Sequence, residues 1–175
     1  MAKVKAGLAC LLSLLVVSPL VARNDSLVKF DGGIGVIPVS NVAVAAGVTT
    51  VSRNIVRGVN PPGQIWVIAG LTADVSSDGR IRARGRGLLL GGGNGIGTNA
   101  NQSVMATLIC EAAAPFTLRN TAVVPLEANG DFRIDDVLTP AVPAECASPV
   151  LLIRNKGGVW FAAGIQKLDD DDDDR

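Results

Sequence analysis

From Trp66 to Leu90, apolar and polar side chains alternate with the period of two that a half-buried strand requires. Ser77-Asp78-Gly79 interrupts the alternation and places glycine where a three-residue loop with a bulge needs positive φ. Such a loop sets the register of a hairpin: Ser76 faces Arg80, Asp74 faces Arg82, Thr72 faces Arg84 and Gly70 faces Arg86. The opposite side collects Val67, Ala69, Leu71, Ala73 and Val75 with Ile81, Ala83, Gly85, Gly87 and Leu89, so one face is apolar and the other polar. A two-residue Asp-Gly turn would set arginines against Val75 and Ala73, a worse match.

The turn chemistry recurs at Leu126-Glu127-Ala128-Asn129-Gly130-Asp131-Phe132-Arg133-Ile134. With Ala128-Asn129-Gly130 as the loop, Leu126 opposes Phe132 and Val124 opposes Ile134, while Asp131, Arg133 and Asp135 point away. Pro149 to Gln166 forms a third hairpin around Arg154-Asn155-Lys156-Gly157-Gly158, with strands apolar on both faces and therefore central. Ser103 to Glu111 adds another alternating strand. The pattern predicts an all-β fold, an antiparallel β-sandwich of about seven to eight strands, with a small up-and-down β-barrel as the main alternative. The glycine-rich connection Gly91–Gln102 is expected to be mobile.

Composition adds a compartment and removes chemistries. Lys3 and Lys5, the apolar run Ala6–Val17 and Ser18-Pro19-Leu20-Val21-Ala22 read as an export signal over residues 1–22, too short to span as the ~20 apolar residues of a membrane helix do; a retained anchor is the alternative. Residues 23–63 form an N-terminal arm punctuated by Pro61-Pro62-Gly63, residues 64–168 the β-sandwich domain, and residues 169–175 an acidic tail expected to be disordered and solubilising. The arm's Val42, Val44 and Val48 are costly to leave in water, so it adds strands to its own sheet or donates one to a neighbouring subunit. With no transmembrane segment after signal cleavage, the protein is placed in a secreted, periplasmic or cell-surface location.

Histidine is absent, which excludes Ser-His, Cys-His and His-zinc chemistry. Cys10 lies in the leader. Cys110 and Cys146, outside CxxC spacing, are expected to form a disulfide closing about 36 residues, with a redox pair or free thiols as alternatives. The formal charge of the whole chain is zero, yet residues 23–168 carry 13 basic against 10 acidic groups because Asp169–Asp174 concentrate six negatives at one end. A mildly basic body thus carries an acidic tail.

Arg80, Arg82, Arg84 and Arg86 alternate strictly, so on a strand they rise from one face at ~6.6 Å intervals and span ~20 Å. Guanidinium groups in such a comb match the carboxylate or phosphate groups that repeat on a polysaccharide, a lipid headgroup layer or a nucleic acid. The alternative is a solvated face that uses charge to block edge pairing and is neutralised by Asp74, Asp131, Asp135 or the tail. Specific nucleic-acid reading is not expected, because no aromatic platform accompanies the comb. Gly91–Gly97 has neither GxGxxG nor GxxxxGK[ST] spacing and leads toward a strand, which argues against nucleotide binding. Asp135 and Asp136 point to opposite faces and cannot flank one glycosidic bond. Asn129, Asp131 and Asp135 make at best a weak calcium site. No metal, cofactor or catalytic residue is assigned.

The motifs Phe30-Asp31-Gly32-Gly33-Ile34-Gly35, Trp66-Val67-Ile68-Ala69, Asp78-Gly79-Arg80, Gly97-Thr98-Asn99, Cys110, Asn129-Gly130-Asp131-Phe132-Arg133-Ile134 and Cys146 together resemble a group of uncharacterised exported bacterial proteins. The resemblance implies export and a β-rich domain, and transfers no site; the aspartate tail departs from the pattern. The expectation is a noncatalytic exported protein with a structural or surface role that contacts an anionic polysaccharide or cell-surface polymer through the arginine comb. Its alternatives are a homo-oligomer that lends its arm as a donated strand, and an enzyme of unknown type.

Overall fold

Gly79 takes φ +84° and donates its amide to the Ser76 carbonyl at 2.9 Å, while Asp78 Oδ1 accepts from the Arg80 amide at 3.0 Å. Gly130, at φ +83°, repeats the arrangement with Glu127 (2.9 Å), and Asn129 Oδ1 accepts from the Asp131 amide at 3.0 Å. The likeness of the two turn sequences is thus a likeness of geometry. The structure, a computed structural model, describes residues 26–168; the expected export signal over residues 1–22, with Cys10, and the acidic tail over residues 169–175 lie outside the described residues.

Among these residues there is no helix. The strands are β1 (Ser26–Gly35), β2 (Val39–Ala45), β3 (Val48–Arg53), β4 (Trp66–Val67), β5 (Gly70–Ser76), β6 (Arg80–Arg86), β7 (Leu89–Leu90), β8 (Ser103–Ile109), β9 (Arg119–Asn120), β10 (Val124–Pro125), β11 (Phe132–Val137), β12 (Val150–Asn155) and β13 (Trp160–Lys167). One antiparallel sheet runs β10-β8-β12-β13-β1-β5-β6-β11, with β9 also against β8. It curls until its ends approach. Asn120 and Thr139 exchange amide-to-carbonyl hydrogen bonds of 2.7 and 2.9 Å, and Asp136 Oδ2 accepts from the Ala122 amide at 2.7 Å. The expected all-β antiparallel class is present, with opposite walls of one curled sheet in place of two separate layers. The order is not that of a meander, since β6 is followed in space by β11.

The β5–β6 register is the expected one, with Asp74 opposite Arg82, Thr72 opposite Arg84 and Gly70 opposite Arg86. Leu71, Ala73, Val75, Ile81 and Ala83 face the core. The alternation does not continue unbroken to Val67 and Leu89. Gly87 turns at φ +63°, so Trp66, Leu88 and Leu90 become the buried residues while Val67 and Ala69 are exposed. Likewise, the second turn forms but its arms part: β10 pairs with β8 and β11 with β6, so Val124 has no ladder partner in Ile134. The third hairpin is β12–β13, and β12 lies between β8 and β13 with Leu151, Leu152 and Ile153 fully buried.

The Gly91–Gln102 connection has structure of its own. Leu90 donates to the Thr98 carbonyl and accepts from the Gly97 amide, both at 2.9 Å, and Thr98 Oγ1 donates to the Gly95 carbonyl at 2.8 Å. The arm divides in two. β1 is paired on both sides, with β13 and β5, inside its own sheet. The β2–β3 ribbon projects with every residue exposed. Behind the ribbon, Arg57 donates to the carbonyls of Ile109, Glu111 and Ser148 and lies over Phe116, which fastens the Asn54–Asn60 segment to the region closed by the Cys110–Cys146 disulfide. That bridge is the one expected from the sequence. No helix among the described residues is long and apolar enough to cross a membrane, which says nothing of membrane-spanning strands.

Candidate anion-binding surface

The outer face of β1, β5, β6 and β11 is a charged grid whose rows follow from the registers. One row reads Lys167, Lys29, Asp74, Arg82, Asp135; the next reads Asp31, Thr72, Arg84, Arg133. Each of these strands buries its other side chains, Phe30, Ala73, Ile81, Ala83, Phe132 and Ile134 among them, so the charged groups are forced outward by the same alternation that builds the core.

The four arginines of the comb do share one face and are all exposed. They are not equivalent. Arg80 and Arg82 share Asp135, at 3.8 and 3.6 Å. These long, solvent-exposed pairs hold little energy. Among the described residues, Arg84 and Arg86 have no carboxylate within 4.0 Å, nor does Arg133. Arg133 stands directly across from Arg84. Sequence reading turned Arg133 outward but missed this neighbour, because the partner of β11 is not its own hairpin arm. The signal that was available is Gly85: a Cβ there would fall 2.0 Å from the Phe132 ring, so the glycine between the two arginines is the slot that receives Phe132 and brings Arg133 alongside.

Two like charges set directly opposite across a strand pair repel, and each such pair costs a few tenths of a kcal/mol. Arg84, Arg86 and Arg133 line an open groove of about 650 Å³ together with Thr72, Asp31, Glu127 and Asp131. Asp131 is occupied: its Oδ1 accepts from the Gly87 amide at 2.9 Å and its Oδ2 from Asn129 Nδ2 at 3.0 Å. Phe132 backs the groove at 4% exposure and offers no stacking face. The groove therefore combines three guanidinium donors with a hydroxyl and carboxylate acceptors in one lining.

The other sequence candidates serve the fold. Asp135 pairs with Arg80 and Arg82 on the outside, whereas Asp136 ties Ala122 to the sheet seam, so the adjacent carboxylates do point apart. No group of three or more His, Cys, Asp or Glu side chains suited to a metal occurs among the described residues. Arg119 and Glu111 form a largely buried ion pair at 2.8 Å, and the Arg119 guanidinium holds the Glu111 carboxyl well below its ordinary value, at about 2. Arg154 is buried against neutral acceptors, the Gly158 carbonyl (3.0 Å) and Asn120 Oδ1 (3.2 Å), and desolvation lowers its pKa. Both cations are shut away from the groove surface and fasten loops. The arrangement is that of an all-β protein that displays an exposed arginine cluster on the outer face of its sheet. No protein-family model, curated protein or solved structure matches the chain.

Proposed function

We propose that the protein is an exported, noncatalytic β-sheet protein that holds an acidic polysaccharide or similar anionic cell-surface polymer against the Arg84, Arg86 and Arg133 groove, with Arg80 and Arg82 extending the track. The observation that carries this reading is the Arg84–Arg133 juxtaposition. A sheet built only for stability gains nothing from opposing two arginines without a carboxylate between them, and an anionic ligand group turns that repulsion into a chelate. The carboxylates in the lining favour a sugar polymer over nucleic acid. Asp31 and Glu127 can accept hydrogen bonds from hydroxyl groups, but would repel a uniform phosphate backbone, and no aromatic side chain is exposed there for base stacking. Export is supported by the leader and by the Cys110–Cys146 disulfide, which belongs to oxidising compartments.

The test is binding of the purified protein to carboxylated and sulfated polysaccharides and to single-stranded DNA across a salt series. The polysaccharides should bind more tightly than DNA, with affinity falling as salt rises, and Arg84→Ser/Arg86→Ser/Arg133→Ser should lose at least tenfold. Equal binding by the triple variant would overturn the assignment, and hydrolysis of any of these polymers by the purified protein would overturn the noncatalytic part.

A further inference from the structure

The β2–β3 ribbon has the opposite character to the arginine face. No charged residue occurs from Gly32 to Ser52. Val42, Val44, Val48 and Val51 are 57%, 71%, 64% and 55% exposed, and Val42 sits directly opposite Val51 on one face. Ala46 (φ 50°) and Gly47 (φ 77°) close the tip in a two-residue turn of the left-handed kind that matches strand twist. Beyond their mutual ladder, the outer edges of both strands are unpaired among the described residues. Exposed edges in soluble proteins are ordinarily protected by lysine, proline or a strong bulge; here Pro38 and one bulge at Val39/Asn41 guard only the base. A two-stranded ribbon with neither face covered is marginal in water.

The ribbon is nonetheless firmly presented. The Asn54 amide donates to the Pro38 carbonyl (2.9 Å), Asn54 Nδ2 to the Ile37 carbonyl (2.9 Å), Trp160 Nε1 to the Asn54 carbonyl (3.0 Å) and Arg53 Nη2 to the Pro61 carbonyl (2.6 Å). Beside this base lies a second groove, of about 400 Å³, mainly apolar and lined by Arg53, Pro61, Pro62, Trp66, Val159 and Phe161. Trp66 and Phe161 stack at 4.0 Å beneath it.

We infer that two copies of this chain associate through their ribbons, edge to edge and antiparallel about a twofold axis, with the apolar tip of each seated at the other's basal groove. Strand spacing and rise give the ribbon a length of ~20 Å and a width of ~10 Å, or ~200 Å² per face. That is well short of the ~800 Å² per partner of a stable interface, so ribbon contact needs a second patch. Antiparallel pairing of two equal ribbons places each tip beside the partner's base, where the groove is. Ribbon and groove are uncharged apart from Arg53, which is already engaged by Pro61, both present apolar side chains among neutral polar ones, and both are unpartnered among the described residues of one copy. A twofold arrangement covers both at once with a self-complementary patch. A charged partner has nothing to pair with there.

The test uses the full chain, expressed with its own leader, in sedimentation and light scattering from 1 to 200 µM. Wild type should be dimeric at 100 µM. Val44→Lys/Val51→Lys should weaken association at least 30-fold while leaving the thermal transition of the body in place, since both side chains already stand in solvent. A single cysteine at Val42 or Thr50, near the centres of the two strands, should give a disulfide-linked dimer at the edge that pairs. A wild-type monomer at 100 µM would overturn the inference. So would a dimer indifferent to both lysines, which would place the interface elsewhere, or a monomer that partitions onto phosphatidylcholine vesicles and loses that ability with Val44→Lys, which would make lipid the occupant.

Discussion

Two hairpins of the same chain obey the same pairing rules and meet opposite fates. In β5–β6 every second side chain enters the core and the rest are charged or polar, so the hairpin has an inside and an outside. In β2–β3 valine, alanine, serine and threonine are distributed over both faces, no charge marks an outside, and nothing among the described residues covers either face. Alternation alone therefore makes a strand; alternation with a charge on the odd positions tells the strand which way to face. The arginines that orient β6 also form the surface proposed to hold an anionic polymer, while the ribbon's lack of charge underlies the proposal that it pairs with its own kind.

The comparison breaks most sharply at glycine. Gly85→Ala puts a methyl group into the Phe132 ring, and the body should lose more than about 3 kcal/mol in urea unfolding, with Arg133 displaced from Arg84. Gly47→Ala, with nothing within 4 Å of its Cβ, should cost only the strain of its positive φ, about 1 kcal/mol, and only in the ribbon. Opening the disulfide with Cys110→Ser/Cys146→Ser should lower unfolding stability by ~2–4 kcal/mol and loosen the Arg57 attachment behind the ribbon. Ile81→Ala, in the body, should cost ~2–4 kcal/mol, whereas Val51→Ala should stay within ~0.5 kcal/mol for the isolated copy.

Acid sharpens the contrast by a smaller amount. The Glu111 carboxyl, held at about 2 by Arg119 against an ordinary 4.5, stabilises the fold fully above pH 4.5, and that contribution disappears as the pH falls toward 2. About 1–3 kcal/mol should be lost from the body across that window, and Glu111→Gln should flatten the profile. The ribbon holds no titratable group between Gly32 and Ser52, so its proton-dependent behaviour should be unchanged by that substitution.

What was legible in the sequence was local. The Ser77-Asp78-Gly79 loop fixed the β5–β6 register, the Arg154–Gly158 turn revealed a central hairpin, and the cysteine spacing anticipated the bridge. What was not legible depended on partners distant in sequence. Asn129-Gly130 correctly announced a turn, but no nearby residue says that β11 leaves its hairpin arm for β6, so Arg133 escaped the arginine cluster. The face change at Gly87 was hidden because apolar residues on both sides of it satisfy either parity. Glycine-rich composition suggested a mobile Gly91–Gln102 and gave no sign of the backbone hydrogen bonds that Leu90 makes with Gly97 and Thr98.

Thermal unfolding at low salt, with and without an acidic polysaccharide, is the most direct test of the claim that Arg84 and Arg133 are opposed for the sake of a ligand. Arg84→Ser/Arg133→Ser should leave the unliganded protein as stable as wild type or slightly more so, because a repulsion has been removed, and the polysaccharide should raise the transition of wild type but not of the variant. A variant less stable than wild type, with the polysaccharide shifting neither protein, would contradict the claim and make the arginine cluster part of the scaffold alone.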